Sequence, residues 1–180
     1  RIADVGGDLS RVRFTPCPID RSWMRDSAPL FVRNAAGETR AVGFRFTAWA
    51  KYPGHARDAR IAGAVARAAG LPLFHVKRNG RAVVLEGGAL EGNGRGTLLT
   101  TEECLLDQKI QVRNPGFTKA DYEAVFREAL GASNVFWLGR GIAGDDTHGH
   151  VDDLCRFVNP RTLVLIQEKN PADVNYRPLQ

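Results

Sequence analysis

Short apolar runs on either side of turn residues predict three β-hairpins along the chain. In each, two apolar segments are separated by a gap rich in Asn, Gly or Pro. The paired segments are residues 30–32 and 41–44, residues 83–85 and 97–100, and residues 154–158 and 163–166. A further tight turn, of the primed type, is predicted at Asn79-Gly80.

Two amphipathic helices are predicted between these hairpins. In residues 58–69, apolar positions recur at helical spacing, and Gly70 ends the pattern. In residues 119–130, apolar positions again recur three and four residues apart. Thr118 is the predicted N-cap of the second helix, and Gly131 is its predicted end.

The predicted elements follow one another as hairpin, helix, hairpin, helix and hairpin. Since the hairpin turns lie near residues 36, 94 and 160, the unit recurs about every 60 residues. Such a repeat favours an α/β architecture of similar units in a radial arrangement. It argues against a dinucleotide-binding sheet, because no Gly-x-Gly-x-x-Gly sequence opens a helix.

Composition and charge place the chain among ordinary globular domains. It has 180 residues, 43% of them apolar, and a net charge of +5, and its length suits one domain. No apolar run approaches the roughly 18 residues of a membrane span, so we expect no membrane partner. Basic residues are scattered singly, giving +8 in residues 1–90 and −3 in residues 91–180, so we expect no nucleic-acid partner.

The cysteine pattern and the start of the chain predict a cytoplasmic protein. Cys17, Cys104 and Cys155 are widely spaced, which is typical of reduced thiols rather than of disulfides or a zinc knuckle. No basic stretch followed by an apolar one stands at the beginning. Because the chain begins at Arg1 and its only methionine is Met24, we expect a processed, trimmed or partial chain.

A carboxylate precedes each predicted hairpin turn at a similar distance. Asp26, Glu86 and Asp152 stand six to eight residues before the turns. In a radial arrangement, these equivalent positions direct three acidic side chains into one central cleft. Carboxylates this close raise one another's pKa unless they share a cation, so the pattern predicts a cationic ligand. A guanidinium, with five donors in a plane, suits several carboxylates at once.

A histidine and a glycine pair add to this predicted site. Residues 145–153 hold the densest acid and imidazole content of the chain. If this segment is an extended strand, His150 and Asp152 lie on one face and Cys155 lies on the other. Gly87-Gly88 leaves room for the close approach of a ligand or of another backbone.

These residues also have alternative explanations. A lone Asp26 is more often the partner of a nearby arginine, and a lone Glu86 can cap a turn. Residues 148–153, which read His-x-His-x-Asp-Asp, differ by one residue from the HxHxDH run of metallo-β-lactamase-type hydrolases. The two remaining histidines lie upstream, whereas further ligands in those hydrolases lie downstream, so we predict no metal.

Four motifs in a fixed order carry a family resemblance. They are Trp23-Met24-Arg25-Asp26, Leu85-Glu86-Gly87-Gly88, residues 97–105 with Asn114-Pro115, and residues 144–152 with Leu154-Cys155-Arg156-Phe157. Over nearly the whole chain they resemble the agmatine deiminase and bacterial-type peptidylarginine deiminase family. The resemblance implies a pentein fold, an α/β propeller of repeated ββαβ-type units around a central site, with about three of five units present.

The resemblance also implies hydrolysis of a small cationic guanidinium without metal or cofactor. A cysteine thiolate attacks the guanidinium carbon, ammonia leaves, and water resolves the S-linked intermediate. By position, Asp26 and Asp152 hold guanidinium nitrogens, and Trp23 lines the pocket. Glu86 supports His150, which acts first as an acid and then as a base.

The chain departs from the family's usual pattern in three ways. His148 stands where the family has Asp or Asn, and Asp153 stands where it commonly has Asn, which affects substrate preference more than reaction class. The nucleophilic cysteine of the family lies in a Gly-rich segment near the C-terminus, beyond Gln180. We therefore expect residues 1–180 to be a single partial deiminase domain, inactive alone, because none of its cysteines has a thiolate-activating neighbour.

The sequence thus predicts part of a cytoplasmic deiminase that converts agmatine to N-carbamoylputrescine and ammonia in polyamine metabolism. A deiminase of peptidyl or free arginine is the second interpretation. A non-catalytic module that binds a cation or another chain is the third. Because an open propeller leaves sheet edges unburied, we also expect association, as a homo-oligomer or with another chain.

Overall fold

The computed structural model describes residues 2–180, which form short strands and four α-helices. The strands are β1 (Leu30–Arg33), β2 (Thr39–Gly43), β3 (Leu73–His75), β4 (Lys77–Arg78), β5 (Arg81–Ala82), β6 (Glu91–Gly92), β7 (Thr97–Thr101), β8 (Asn134–Leu138), β9 (Cys155–Asn159) and β10 (Thr162–Leu165). The helices are α1 (Met24–Ser27), α2 (Ile61–Ala68), α3 (Glu102–Leu106) and α4 (Lys119–Leu130). No helix in this part of the chain is long and apolar enough to cross a membrane.

Two copies of one ββαβ unit make up most of the chain. In the first, β1 pairs antiparallel with β2, and β2 pairs in parallel with β3, which follows α2. In the second, β6 pairs antiparallel with β7, and β7 pairs in parallel with β8, which follows α4. A third hairpin, β9 with β10, repeats the first half of the unit. The repeat predicted from the turn spacing is confirmed as two complete units and one hairpin.

Both predicted helices are confirmed, and their ends follow local signals. Thr118 and Asp121 form a reciprocal capping box at the start of α4, and Gly131, at a φ of 69°, ends it. The first helix begins with a 3-10 turn at Asp58–Arg60 before α2 proper. It ends before Gly70, whose φ is 67°. These ends depend on neighbouring residues alone, which is why the sequence locates them.

The second predicted hairpin is wrong in its first strand. Residues 83–85 do not pair with β7; Val84 instead forms a parallel bridge with Arg45, and β6 is the strand opposite β7. All three residues are buried, so their apolar run reflects burial and does not indicate a hairpin partner. The turn at Asn79-Gly80 is confirmed, because both residues have positive φ and join β4 to β5.

The prediction of an extended strand around His150, with His150 and Asp152 on one face, is wrong. Val151–Asp153 form a 3-10 turn, and β9 begins only at Cys155. The Asp145 carboxylate accepts the backbone N–H groups of Gly149 and His150 at 2.7 and 3.0 Å. These local side-chain hydrogen bonds offer the backbone an alternative to a sheet ladder.

Two apolar clusters hold the elements beneath the site. In the larger, Tyr122, Val125 and Phe126 of α4 are at most 1% exposed. Burying each of these large side chains stabilises the fold by about 1.5–3 kcal/mol. In the smaller, Val151 and Leu154 pack with β7 and anchor the 3-10 turn that carries Asp152.

A left-handed turn of three consecutive non-glycine residues lies in the first unit. Ala48, Trp49 and Ala50 have φ values of 49°, 60° and 50°. Left-handed backbone costs an L-residue about 1–2 kcal/mol, so the surrounding packing must hold it. Trp49 is 4% exposed and packs edge-on against Phe46 and Tyr52. The turn thereby fixes the position of one indole ring.

Candidate active site

A cleft of about 500 Å³ opens beside the left-handed turn. Its lining, which we call the acidic cleft, carries five aspartates against two arginines and includes one histidine and three aromatic residues. The aspartates come from α1 and from residues 145–153, and the turn supplies Trp49. A cavity of this size suits a small ligand, and its charge suits a cation.

Four of the residues predicted from the sequence meet in this region. His150 Nδ1 lies 3.7 Å from Asp26 Oδ1 and 3.9 Å from Asp152 Oδ1. The other ring nitrogen, Nε2, lies 3.5 Å from Glu86 Oε2. Glu86 does not cap the 3-10 turn Gly87–Ala89 that follows it, so that explanation of the residue does not apply. The structure therefore places three carboxylates around one imidazole.

Glu86 also forms a fully buried ion pair with Arg113. Arg113 Nε lies 3.2 Å from Glu86 Oε2, and both side chains are 0% exposed. The other guanidinium nitrogens of Arg113 donate to the carbonyls of Gln111 and Thr147 at 3.0 and 2.6 Å. Burial acts to raise the Glu86 pKa, but His150 and Arg113 outweigh it, and the pKa lies below its ordinary value. Glu86 is therefore a fixed negative charge beside His150.

Asp26 is held by neutral donors. Trp49 Nε1 donates to its Oδ2 at 3.1 Å, and the backbone N–H of Gly88 donates to its Oδ1 at 3.0 Å. Among residues 2–180 its ion-pair partner is His150, and no arginine fills that role. Desolvation raises the Asp26 pKa, more than the nearby histidine lowers it. An incoming cation is the partner that would favour the ionised form of this carboxyl.

Gly88 allows Asp26 and His150 to approach each other. A Cβ at position 88 would lie 2.4 Å from His150 Nδ1 and 2.6 Å from Asp26 Oδ1. At Gly87, a Cβ would lie 2.1 Å from the carbonyl oxygen of Arg25 in α1. The close approach predicted for the glycine pair is therefore confirmed, with α1 as the approaching backbone.

His150 is buried and holds a proton more strongly than an ordinary histidine. It is 2% exposed, and its Nε2 has no close hydrogen-bond partner among the described residues. Burial lowers the His150 pKa, but Glu86 and Asp26 outweigh it, and the pKa lies above its ordinary value. A protonated imidazole in this position can give a proton to a leaving group and later take one back.

Asp152 and Trp23 lie nearer to the solvent. The Asp152 side chain is 18% exposed, and its Oδ2 lies 3.7 Å from Arg25 Nε. Desolvation is the main reason that the Asp152 pKa is raised. Trp23 is 62% exposed and lines the cleft. These two residues border the route by which a ligand reaches His150.

The neighbouring acids at positions 145 and 146 shape the rim. Burial raises the Asp145 pKa, but hydrogen bonds from Thr147 and from the following backbone outweigh it, and the pKa lies below its ordinary value. Asp146 is bound by the Lys51 ammonium and the Tyr52 hydroxyl. Asp145 thus organises the loop, and Asp146 closes one side of the cleft.

Sequence reasoning missed Trp49 and Arg113. Trp49 follows an alanine in a segment without a recognised motif. Arg113 directly precedes Asn114-Pro115, a pair that belongs to the family motif, and this adjacency is the one signal that would have found it. Both residues act by contacts across the fold, with Asp26 and with Glu86.

The three thiols are poorly placed for nucleophilic attack in the acidic cleft. Cys104 is 1% exposed, and burial raises its pKa far above the ordinary value. Burial also raises the pKa of Cys155 to about 11. Cys17 lines a separate apolar groove beside α2. None of the three lines the cleft.

A metal has one candidate group of ligands here, and its chemistry is unfavourable. Glu86, Cys104 and His150 offer ligand atoms within 4.8 Å of one another. Arg113 already neutralises Glu86, and Cys104 strongly resists losing its proton. These residues do not fit a resident divalent cation.

The His-x-His sequence does not converge on one point. His148 Nε2 lies 2.9 Å from Asp107 Oδ2, and its Nδ1 lies 3.8 Å from Glu103 Oε1. His148 lines a different surface cavity from His150. The similarity to metallo-β-lactamase-type hydrolases therefore has no counterpart in the geometry.

Solved structures with this fold define the class of protein. An agmatine deiminase of Enterococcus faecalis matches with a TM-score of 0.82 and 32% identity, over 91% of this chain and 44% of that one. A C. jejuni agmatine deiminase, a cysteine-to-serine variant with substrate bound, matches with a TM-score of 0.79 and 26% identity, over 99% of this chain and 51% of that one. With the repeated ββαβ units, these matches confirm the predicted pentein fold.

Sequence comparisons also show the family to which the chain belongs. The model of Porphyromonas-type peptidyl-arginine deiminases matches residues 2–180, and the chain belongs to that family. The agmatine deiminase of Pseudomonas fluorescens is 37% identical over 174 residues, which cover 94% of this chain and 45% of that protein. The chain thus spans less than half the length of the curated relatives it matches, and the resemblance read from the four motifs is confirmed.

Proposed function

We propose that this chain is the substrate-binding and acid–base part of a deiminase, which hydrolyses a guanidinium C–N bond of agmatine. The observation that carries the proposal is the convergence of three carboxylates on one buried histidine beside a cleft. The relatives named agmatine deiminase support the same reaction.

Asp26 and Asp152 bind the guanidinium. Both carboxyls have a pKa raised by desolvation, so each is short of a cation that would favour its charged form. A guanidinium supplies that cation and donates charge-assisted hydrogen bonds in its own plane, which fixes its orientation. Trp23 covers the bound group from the cleft rim.

His150 moves the protons of the reaction. A thiolate attacks the guanidinium carbon and forms a C–S bond, and the C–N bond breaks as the imidazolium gives its proton to the departing ammonia. The neutral imidazole then takes a proton from water, which attacks the same carbon and expels the thiolate. The negative charge of Glu86, 3.5 Å from Nε2, stabilises the imidazolium. The net reaction consumes one water and yields ammonia and a ureido product, here N-carbamoylputrescine.

The attacking thiolate is not one of the three cysteines of this sequence. Cys104 and Cys155 are buried with raised pKa values, and Cys17 lies away from the cleft. The C. jejuni relative with substrate bound carries a cysteine-to-serine change, which supports a cysteine nucleophile. We assign residues 1–180 to a single partial deiminase domain and expect them to be inactive alone.

The charge of the acidic cleft favours agmatine over arginine. Arginine carries a carboxylate at its far end, whereas agmatine carries only positive charge. Both arginines of the cleft are already engaged: Arg21 donates to the carbonyls of Pro53 and Gly54, and Arg25 lies 3.5 Å from Glu91. With five aspartates and, among residues 2–180, no unengaged arginine in its lining, the cleft attracts a dication and repels a carboxylate.

The edge strand β10 favours association with more protein. In the two complete units, β2 and β7 each pair with a parallel strand, whereas within the described part of the chain β10 pairs with β9 alone. Its residues Val164 and Leu165 are 56% and 61% exposed, and Ile166 after them is 51% exposed. We expect the 180-residue chain to associate in sedimentation experiments, and a cooperatively melting monomer would contradict this.

Ammonia release tests the proposed function. The longest natural polypeptide that contains this sequence is assayed with agmatine, free arginine and an arginine peptide, and agmatine should be the best substrate. If the peptide is turned over faster, the choice of substrate is wrong. If none releases ammonia, the chain is a non-catalytic cation-binding module. If the 180-residue chain alone is active, one of its own cysteines is the nucleophile.

A further inference from the structure

A second cavity, of about 450 Å³, has the opposite charge to the acidic cleft. Arg45, Arg81 and Arg113 contribute to its lining, and among residues 2–180 no aspartate or glutamate does. We call it the basic cavity. Its volume lies in the range of small-molecule sites in proteins.

The parallel bridge between Arg45 and Val84 brings together two of the segments that line the basic cavity. The Arg45 N–H donates to the Val83 carbonyl at 2.9 Å, which holds the two extended segments side by side. Because side chains alternate along an extended segment, Arg45 and Thr47 share one face. Residues 112–115 and Phe117 also contribute to the lining.

Two of its three arginines are unpaired. Within residues 2–180, neither Arg45 nor Arg81 has a carboxylate within 4.0 Å, and both are exposed. The charge of Arg113, in contrast, is matched by Glu86 at 3.2 Å. Two guanidinium groups therefore face the same cavity without a counterion from the described part of the chain.

A buried hydroxyl in the same lining also lacks a partner. Thr47 Oγ1 is inaccessible to solvent and has no hydrogen-bond partner among the described residues. A buried hydroxyl without a partner is destabilising by about 1–3 kcal/mol. Rotation of the Thr47 side chain would turn this hydroxyl into the cavity, where a bound acceptor would satisfy it.

We propose that the basic cavity is a binding site for a small anion of the carboxylate or phosphate class. The guanidinium groups of Arg45 and Arg81 bind its charged oxygens, and the Thr47 hydroxyl donates to one of them. Val84 and Phe117 give the cavity an apolar part that accommodates the carbon skeleton of an organic anion. A volume of about 450 Å³ fits a small metabolite. This site is separate from the proposed catalytic function and does not depend on it.

Calorimetric titration of the longest natural polypeptide that contains this sequence tests the proposal. Inorganic phosphate and succinate are the two probes, one for each source of negative charge. We expect saturable binding of at least one, weakened about 10-fold by Arg45→Gln and by Arg81→Gln. Arg161→Gln is the matched control, because it removes an exposed positive charge from the β9–β10 turn, and it should leave the affinity unchanged.

Thr47→Val provides the second readout, because it removes the hydroxyl and keeps the shape. It should weaken binding about 3- to 10-fold, less than loss of an arginine. Thermal melting of each variant checks that it is folded. If neither probe binds, or if Arg161→Gln weakens binding as much as Arg45→Gln, the basic cavity is not a site and its charge is ordinary surface charge.

Discussion

The acidic cleft and the basic cavity are neighbours of similar size that treat charge in opposite ways. The left-handed turn and the residue before it serve both, since Trp49 lines the cleft while Thr47 and Ala50 line the cavity. His150 of the cleft and its buried neighbour Glu86 are at most 2% exposed, and each has an opposite charge nearby. In the basic cavity, the two unpaired guanidinium groups remain in contact with water.

Charge has structural consequences in this fold mainly where it is buried. A buried charge depends on its partners, because removing one partner leaves the other desolvated and unpaired. An exposed charge is screened by water and salt, so its removal changes little except the binding of a ligand. Variants of buried paired residues and of the acidic cleft should therefore have large effects, and matched changes at exposed positions should have small ones.

The largest effect is expected for His150→Asn. It removes the one imidazole that the described residues contribute to the cleft, so agmatine hydrolysis by the longest natural polypeptide should fall about 10²- to 10⁴-fold, the usual contribution of a general acid and base. The matched control is His148→Asn, a histidine paired with Asp107 outside the cleft. Ammonia release measures both, and equal losses in the two variants would contradict the role of His150.

Next comes Arg113→Leu, which breaks the buried ion pair with Glu86. Because the buried Glu86 carboxylate keeps only His150 as a positively charged neighbour, the free energy of unfolding should fall by about 3–5 kcal/mol. Arg45→Gln, an exposed arginine of the basic cavity, should change it by less than about 0.5 kcal/mol. Chemical denaturation gives both values. The double variant Arg113→Leu/Glu86→Leu should recover part of the loss, and the contrast between buried and exposed charge fails if it does not.

Asp152→Asn should act mainly on substrate binding. Loss of one charged contact to the guanidinium should raise the KM for agmatine about 10- to 100-fold. Asp107→Asn is the matched control, because it alters a carboxylate 2.9 Å from the other histidine, His148. Steady-state kinetics separate KM from kcat. An unchanged KM in Asp152→Asn would show that this residue does not hold the guanidinium.

A smaller effect is expected for Trp49→Phe. It keeps an aromatic ring but removes the N–H that donates to Asp26 at 3.1 Å, so kcat/KM should fall about 3- to 10-fold. Trp137→Phe is the control, because that indole donates to Glu123 at 3.0 Å, away from the cleft. Both variants should lose similar stability, and only the first should lose activity.

The smallest effect is the pH dependence of stability above neutrality. The His150 pKa is raised in the folded state, so its contribution is complete below its ordinary value of 6.5 and is lost as pH rises through the folded value. The slope is at most about 1.4 kcal/mol per pH unit for one proton. Asp26 and Asp152 also have raised pKa values, which adds the same sign at lower pH. Chemical denaturation should show that stability falls with rising pH above 6.5 in wild type, and that this contribution is absent from His150→Asn.

The sequence predicts those parts of the fold that depend on local signals. The ends of α4 follow from the Thr118 cap and Gly131, and two of the hairpins follow from their turn residues. The parallel strands β3 and β8 have no such signal, because each is defined by a partner distant along the chain. The predicted pairing of residues 83–85 with β7 is wrong for the same reason, since a buried apolar run does not reveal which strand lies beside it.

The candidate site likewise has residues that the sequence predicts and residues that only contacts across the fold reveal. Asp26, Glu86 and Asp152 are predictable because they occupy equivalent places in a repeat and lie in recognisable motifs. The partners that set their properties are not, because Arg113 looks like any surface arginine until its burial against Glu86 is seen. Hydrophobic periodicity also does not predict the 3-10 turn at Val151–Asp153. The Asp145 carboxylate accepts hydrogen bonds from the backbone directly before this turn and thereby determines its conformation.

The left-handed turn at residues 48–50 limits how the wall between the two cavities can evolve. At these positions backbone conformation adds a constraint to those of size and polarity, because glycine adopts left-handed backbone without the strain that an L-residue with a side chain meets. Replacing Ala50 by glycine would relieve strain but would also free the wall that holds Trp49. Selection for thermal stability alone would therefore tend to loosen both cavities together.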